Sequence, residues 1–151
     1  MKSIPPDTAA PVRSALAHPS IASGLDGQPC VYYDGGCPLC RAEIAAYQRA
    51  PGGDSIRWVD AHGCEAAELG LGLERREALA RLHARRADGA LVQGAAAFVA
   101  IWAALPRWRW LARVARLPGV LPVLELGYSG FLRVRPLWRR RGSGSAGTHQ
   151  A

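Results

Sequence analysis

Seven residues, Asp34-Gly35-Gly36-Cys37-Pro38-Leu39-Cys40, separate two stretches of opposite periodicity, and that junction limits what the chain can fold into. The run Cys30-Val31-Tyr32-Tyr33 before it is β-type, and residues 30–34 are predicted as a strand. After it, residues 38–50 are predicted as a helix in which Cys40, Ile44 and Tyr47 recur at i, i+4 and i+7 and form one buried stripe. Pro38 suits the first helical position, where its fixed φ fits and its missing N–H is no loss. Cys37 then falls at the N-cap, and Cys40 one turn on, on the same side of the helix. The free N–H groups of the first turn and the helix dipole favour a thiolate at Cys37, and the thiolate is the form that attacks disulfides. The expected site is a redox dithiol, with Cys37 exposed at the helix tip as nucleophile and Cys40 deeper as the resolving thiol. Gly35 and Gly36 allow the tight turn and bring the backbone close to Cys37.

The rest of the chain builds outward from this junction. Residues 1–28 are rich in Pro, Ala and Ser and are expected to be a disordered leader, without the apolar core of a secretory signal. Pro51-Gly52-Gly53 stops the first helix, and Ser55 to Asp60 is predicted as a second strand. The spacing makes the two strands parallel neighbours joined by a helical crossover. Glu74 to Arg81 is predicted as a short helix. Residues 82–86 and 90–93 flank Asp88-Gly89, a hairpin signal. Gly94 opens a helix over 95–105 with Phe98, Ile101, Trp102 and Leu105 on one face. The order is β-α-β-α-β-β-α, an α/β domain of thioredoxin-like type over residues 29–106. Residues 107–141 are expected to be an Arg/Trp-rich helical extension: one helix over 107–117, a break at Pro118-Gly119, and a second over 121–135 with Leu124, Tyr128, Phe131 and Leu132 on one face and Pro136 disturbing its end. Residues 142–151, Gly- and Ser-rich, are expected to be a flexible tail.

Charge divides the chain at the same boundary. The formal net charge is +7. Residues 1–106 carry ten basic and eleven acidic groups, whereas residues 107–151 carry nine arginines and one acid, Glu125. Such a patch suits nucleic acid, anionic lipid or an acidic partner. Three readings follow for the extension: a helical hairpin covering one side of the sheet with its arginines solvated, a weak contact with an anionic membrane surface, or a nucleic-acid contact. Nucleic acid is not expected, because no base-reading motif accompanies the charge. The uncharged apolar run from Gly89 to Leu105 is too rich in Ala and Gly for a membrane span. A reducing cytoplasm is the expected setting, and a monomer the expected state. The bias to Ala, Gly and Arg, with a single Lys, is that of a GC-rich bacterial genome.

With the junction and the element order in hand, the chain resembles the DCC-type thiol-disulfide oxidoreductases, whose D-x-x-C-x-x-C signature reads here Asp34-Gly35-Gly36-Cys37-Pro38-Leu39-Cys40. The similarity continues through Leu82-His83-Ala84-Arg85 with Asp88-Gly89, Gly94 to Phe98 with Trp102, Leu117-Pro118-Gly119-Val120, and Tyr128 to Arg135. The resemblance implies a thioredoxin-like fold and dithiol/disulfide exchange with a protein or small-molecule disulfide or dithiol, with no cofactor. Thioredoxins place a cis-proline opposite the CxxC just before a later strand; the matching Leu79-Ala80-Arg81-Leu82 has none.

Other chemistries compete for the same residues. Asp34 has two readings, proton relay to Cys40 or cap of the Gly-Gly turn. Cys37 and Cys40 with His62 and Cys64 would supply a Cys3His zinc set, but His62-x-Cys64 is not a common half-site, and no metal is expected. A redox-inactive interaction module is the remaining alternative. Cys30 on its strand is expected in the core, His83 as structural, Asp60 as a cap, and Cys64 as a surface bystander.

Overall fold

A computed structural model describes residues 27–142. The expected leader up to residue 26 and the tail from residue 143 lie outside the described residues. Strand β1 (Cys30–Tyr33) runs into helix α1 (Pro38–Arg49), and strand β2 (Arg57–Asp60) follows. Helix α2 (Arg75–Ala80), the hairpin of β3 (His83–Arg85) and β4 (Leu91–Gln93), and helix α3 (Ala95–Ala104) complete the core. The sheet order is β2-β1-β3-β4. β1 pairs in parallel with β2 and antiparallel with β3, and β3 pairs antiparallel with β4. This is the thioredoxin-like arrangement expected from the element order.

The strand alternation sorts β1 between two cores. Val31 faces α1 and α3, in a cluster with Ile44, Tyr47, Ile56, Leu82, Ala97, Ile101 and Leu105. Cys30 and Tyr32 face the other way, with Val59, Ala61, Leu69, Leu73 and Ala78. The helical stripes fall as expected except at Cys40, which is half-buried. Ile44 and Tyr47 of α1 and Ile101 of α3 are buried, as is Leu105 at the α3 C-cap, with Phe98 and Trp102 packed at the edge.

Three boundaries differ from expectation. β2 begins at Arg57, because a 3-10 turn at Gly53–Ser55 occupies its expected start. Ser55 Oγ donates to the Gly52 carbonyl at 2.6 Å, and Trp58 Nε1 to the Gly53 carbonyl at 2.8 Å, which holds that turn closed. The expected helix over 107–117 divides into a 3-10 turn, Pro106–Trp108, and helix α4 (Arg109–Ala115). The last helix, α5 (Val120–Gly142), continues through Pro136 instead of ending near it. Proline removes one backbone hydrogen bond from a helix. The preceding residue, Arg135, is anchored by its side chain to three separate groups.

Residues 107–142 do form a pair of helices, joined at Gly119 with φ +87°. Both pack on α3, and α5 also packs on α1. Arg107, Arg109, Arg113, Arg116 and Arg133 are exposed as expected, but Arg135 is buried.

Candidate dithiol site

The turn leading into α1 is built by two carboxylates. Asp34 Oδ1 accepts the Gly36 N–H at 2.9 Å, and the Asp34 carbonyl accepts the Cys37 N–H at 3.2 Å. Asp60, at the end of β2, accepts the Gly35 and His62 N–H groups on Oδ1, both at 2.9 Å. Asp60 is therefore the cap the sequence indicated, and Asp34 has its capping role. Pro38 takes the first helical position and Cys37 is the N-cap.

The Cys37 sulfur accepts the Cys40 N–H at 3.4 Å, and the two thiols lie within hydrogen-bonding reach of one another. Burial first, and then the neighbouring Cys37 sulfur, push the Cys40 thiol up to about 12; Asp34 adds to the shift and Arg135 opposes it. All four cysteines are free. The exposures correct the sequence expectation. Cys37 is 0% exposed, whereas Cys40 is partly open. The Gly35 and Gly36 amides are taken by Asp60 and Asp34, and the amide that reaches the Cys37 sulfur is that of Cys40, whose own side chain lines a small cleft.

That cleft, about 30 Å³, brings together Asp34, Cys40, Tyr128, Phe131, Arg81 and Arg135. Its last members come from α5, 101 residues along the chain from Asp34 in the case of Arg135. Arg135 donates to Asp34 Oδ2, to the Leu79 carbonyl at 2.9 Å and to the Ala80 carbonyl at 3.3 Å. The carbonyls belong to the segment where thioredoxins carry their proline, and no cis peptide occurs among the described residues. Tyr128 Oη accepts the Leu82 N–H at 2.8 Å in the same segment. Glu125 accepts the Ala95 N–H at 2.8 Å, at the start of α3, and pairs with Arg81. Sequence reasoning missed Arg135, Arg81 and Glu125. The available signal was that Glu125, Tyr128 and Arg135 share the face of the last helix on which Phe131 and Leu132 were placed.

The remaining candidates stand apart from the dithiol. Cys30 is buried in the second core, where burial raises its thiol pKa. Cys64 is half-buried against that same core, so it is less a surface bystander than expected. His83 is buried with Nδ1 2.9 Å from the Arg81 carbonyl, a structural role. Among the described residues, no three of His, Cys, Asp and Glu converge in a group able to hold a metal, so Cys37, Cys40, His62 and Cys64 are not gathered into a zinc set.

A four-stranded sheet in this order, with two cysteines at the first helix N-terminus, defines a thioredoxin-like fold. The family model for the DCC1-like thiol-disulfide oxidoreductases matches residues 31–141, and the chain belongs to that family. No curated protein and no solved structure matches the chain.

Proposed function

We propose that the chain exchanges disulfides through Cys37 and Cys40, with Cys37 as nucleophile. The observation that carries this reading is the asymmetry between the two sulfurs. Cys37 accepts an N–H at the helix N-terminus, whereas the Cys40 thiol, pushed up to about 12, stays protonated at neutral pH. The Cys37 thiolate attacks a protein or small-molecule disulfide, forms a mixed disulfide and expels one thiolate. Cys40 then gives its proton to the Asp34 carboxylate, and its sulfur attacks Cys37 Sγ. That step expels the second thiolate and leaves a Cys37–Cys40 disulfide. Two electrons have passed to the substrate, and an external dithiol returns them. Because Cys37 is buried, the structure around it has to open for the partner to reach it.

Arg135 has a defined part in this scheme. It holds the Asp34 side chain in place by donating to Oδ2, and it opposes the rise of the Cys40 thiol.

Trapping tests the assignment. In Cys40→Ser, a disulfide substrate is expected to accumulate as a mixed disulfide on Cys37, identified by peptide mass. Cys37→Ser is expected to give neither adduct nor turnover. An adduct on Cys40 in Cys37→Ser, with none on Cys37 in Cys40→Ser, would reverse the roles. The burial of Cys37 favours a second reading, a redox-inactive module. Failure of the wild-type dithiol to form an internal disulfide at any potential between about −350 and −100 mV would establish that one.

A further inference from the structure

The polar anchors of α5 all lie on one side. Glu125, Tyr128 and Arg135 reach Ala95, Leu82 and Asp34 in the body of the domain. The opposite side carries Val123, Leu126, Gly127, Gly130, Val134 and Leu137, every one of them exposed. Those positions follow the helical repeat and make an apolar stripe of about four turns, roughly 21 Å long. Val123 is 68%, Leu126 74% and Leu137 61% exposed. Helix α4 adds Trp110 at 60% and Val114 at 44%, with Leu117 just beyond its end at 55%. Among the described residues, eight of the ten exposed large hydrophobics lie between 110 and 137. A surface of this extent in water marks a contact.

The charge around the stripe is of one sign. Arg107, Arg109, Arg113, Arg116 and Arg133 are exposed, and by sequence Arg139, Arg140 and Arg141 follow. The one acid in the segment, Glu125, is turned inward onto Arg81 and Ala95. A second copy would set the same arginines against each other. Nucleic acid offers phosphates but no aliphatic acceptor for the valine and leucine stripe. An anionic bilayer offers both, with headgroups for arginine and acyl chains for the apolar side chains, and tryptophan sits well at the boundary. No helix among the described residues is long and apolar enough to cross a membrane, so the contact is with the surface.

We propose that the outward faces of α4 and α5 dock the domain on an anionic membrane surface. Docking leaves the dithiol, which faces the opposite side of α5, free of the lipid.

Sedimentation of the full chain with vesicles tests this. One set holds phosphatidylcholine with a third phosphatidylglycerol, and the other phosphatidylcholine alone. Binding to the anionic vesicles is expected to exceed binding to the neutral ones by about tenfold or more, and to fall as salt is raised. Leu126→Ser/Leu137→Ser and Arg113→Glu/Arg116→Glu should each weaken anionic binding by about tenfold, while circular dichroism and the thermal midpoint stay at wild type. Equal binding to both vesicle sets, or none to either, overturns the proposal, as does anionic binding that both double variants retain. RNA binding that Leu126→Ser/Leu137→Ser leaves intact, in a chain that ignores vesicles, would assign the face to nucleic acid. A dimer at micromolar concentration that the same variant dissolves would assign it to a second copy. Either result overturns the membrane proposal.

Discussion

Gly35 and Gly36 are adjacent and identical in sequence, but the space around them is not. A methyl group on Gly35 would lie 1.9 Å from Asp60 Oδ2, inside the carboxylate that holds the Gly35 N–H. One on Gly36 would lie 3.0 Å from His62 Nδ1, on an exposed ring that is free to move aside, and 3.1 Å from Asp34 Oδ1, which has to give by a few tenths of an ångström. Gly35→Ala is therefore expected to destabilise by about 3 kcal/mol and Gly36→Ala by about 1, read from urea unfolding. Equal losses would show that the turn relaxes around Asp60. Arg135 and Asp34 make a second residue-scale test. Removing one member of a buried ion pair costs about 3–5 kcal/mol, because the other charge stays buried. Arg135→Gln is expected to fall in that range. Combined with Asp34→Asn, the total loss should be smaller than the sum of the single losses by at least about 1 kcal/mol. Additive losses would mean that the two side chains do not depend on each other.

At the scale of elements, the core helices and the strand pairing were readable, because each rests on local chemistry: a proline after an N-cap cysteine, a DG turn, a repeat of three and four. The role of α5 was not. Its inward face could be placed from Tyr128, Phe131 and Leu132, but nothing local says that Glu125 caps α3, or that Arg135 reaches a carboxylate so far back in the chain. Long-range polar contacts leave no period in a sequence. The exposure of the two cysteines was misjudged for a similar reason. Position on the helix puts the two thiols on one side, whereas the burial of each is set by packing that no local pattern records. The hydroxyl of Tyr128 tests how α5 is held. Tyr128→Phe keeps the ring against Phe98, with centroids 5.6 Å apart, and strands the Leu82 N–H. An unsatisfied buried donor costs about 1–3 kcal/mol. The expected outcome is a loss in that range, with hydrogen exchange of the Leu82 amide faster than in the wild type. Unchanged exchange would mean that another group takes over the proton.

Taken as a whole, the molecule buries its weak acids in one protonation state. Burial raises the pKa values of Cys30, Tyr32, Tyr33 and Tyr128, and it raises those of Cys40 and Tyr47 to about 12. In each case the folded chain holds its proton more tightly than the unfolded chain does. The stabilisation is complete below the unfolded values, about 8.5 for a thiol and about 10 for a tyrosine, and is lost as pH rises past them. The reduced protein should therefore weaken with rising pH before the oxidised one. Between about pH 8.5 and 10 the unfolded thiols ionise while Cys40 in the fold cannot, whereas a Cys37–Cys40 disulfide has no thiol to ionise. Urea midpoints measured across that window are expected to fall more steeply for the reduced chain than for the oxidised chain. Cys40→Ala should flatten the reduced curve toward the oxidised one, because Cys30 and Cys64, whose thiols burial also raises, are common to both forms. Parallel curves for the two redox forms would show that Cys40 ionises as easily in the fold as out of it. That result would remove the asymmetry between the two sulfurs on which the assignment of Cys37 as nucleophile stands.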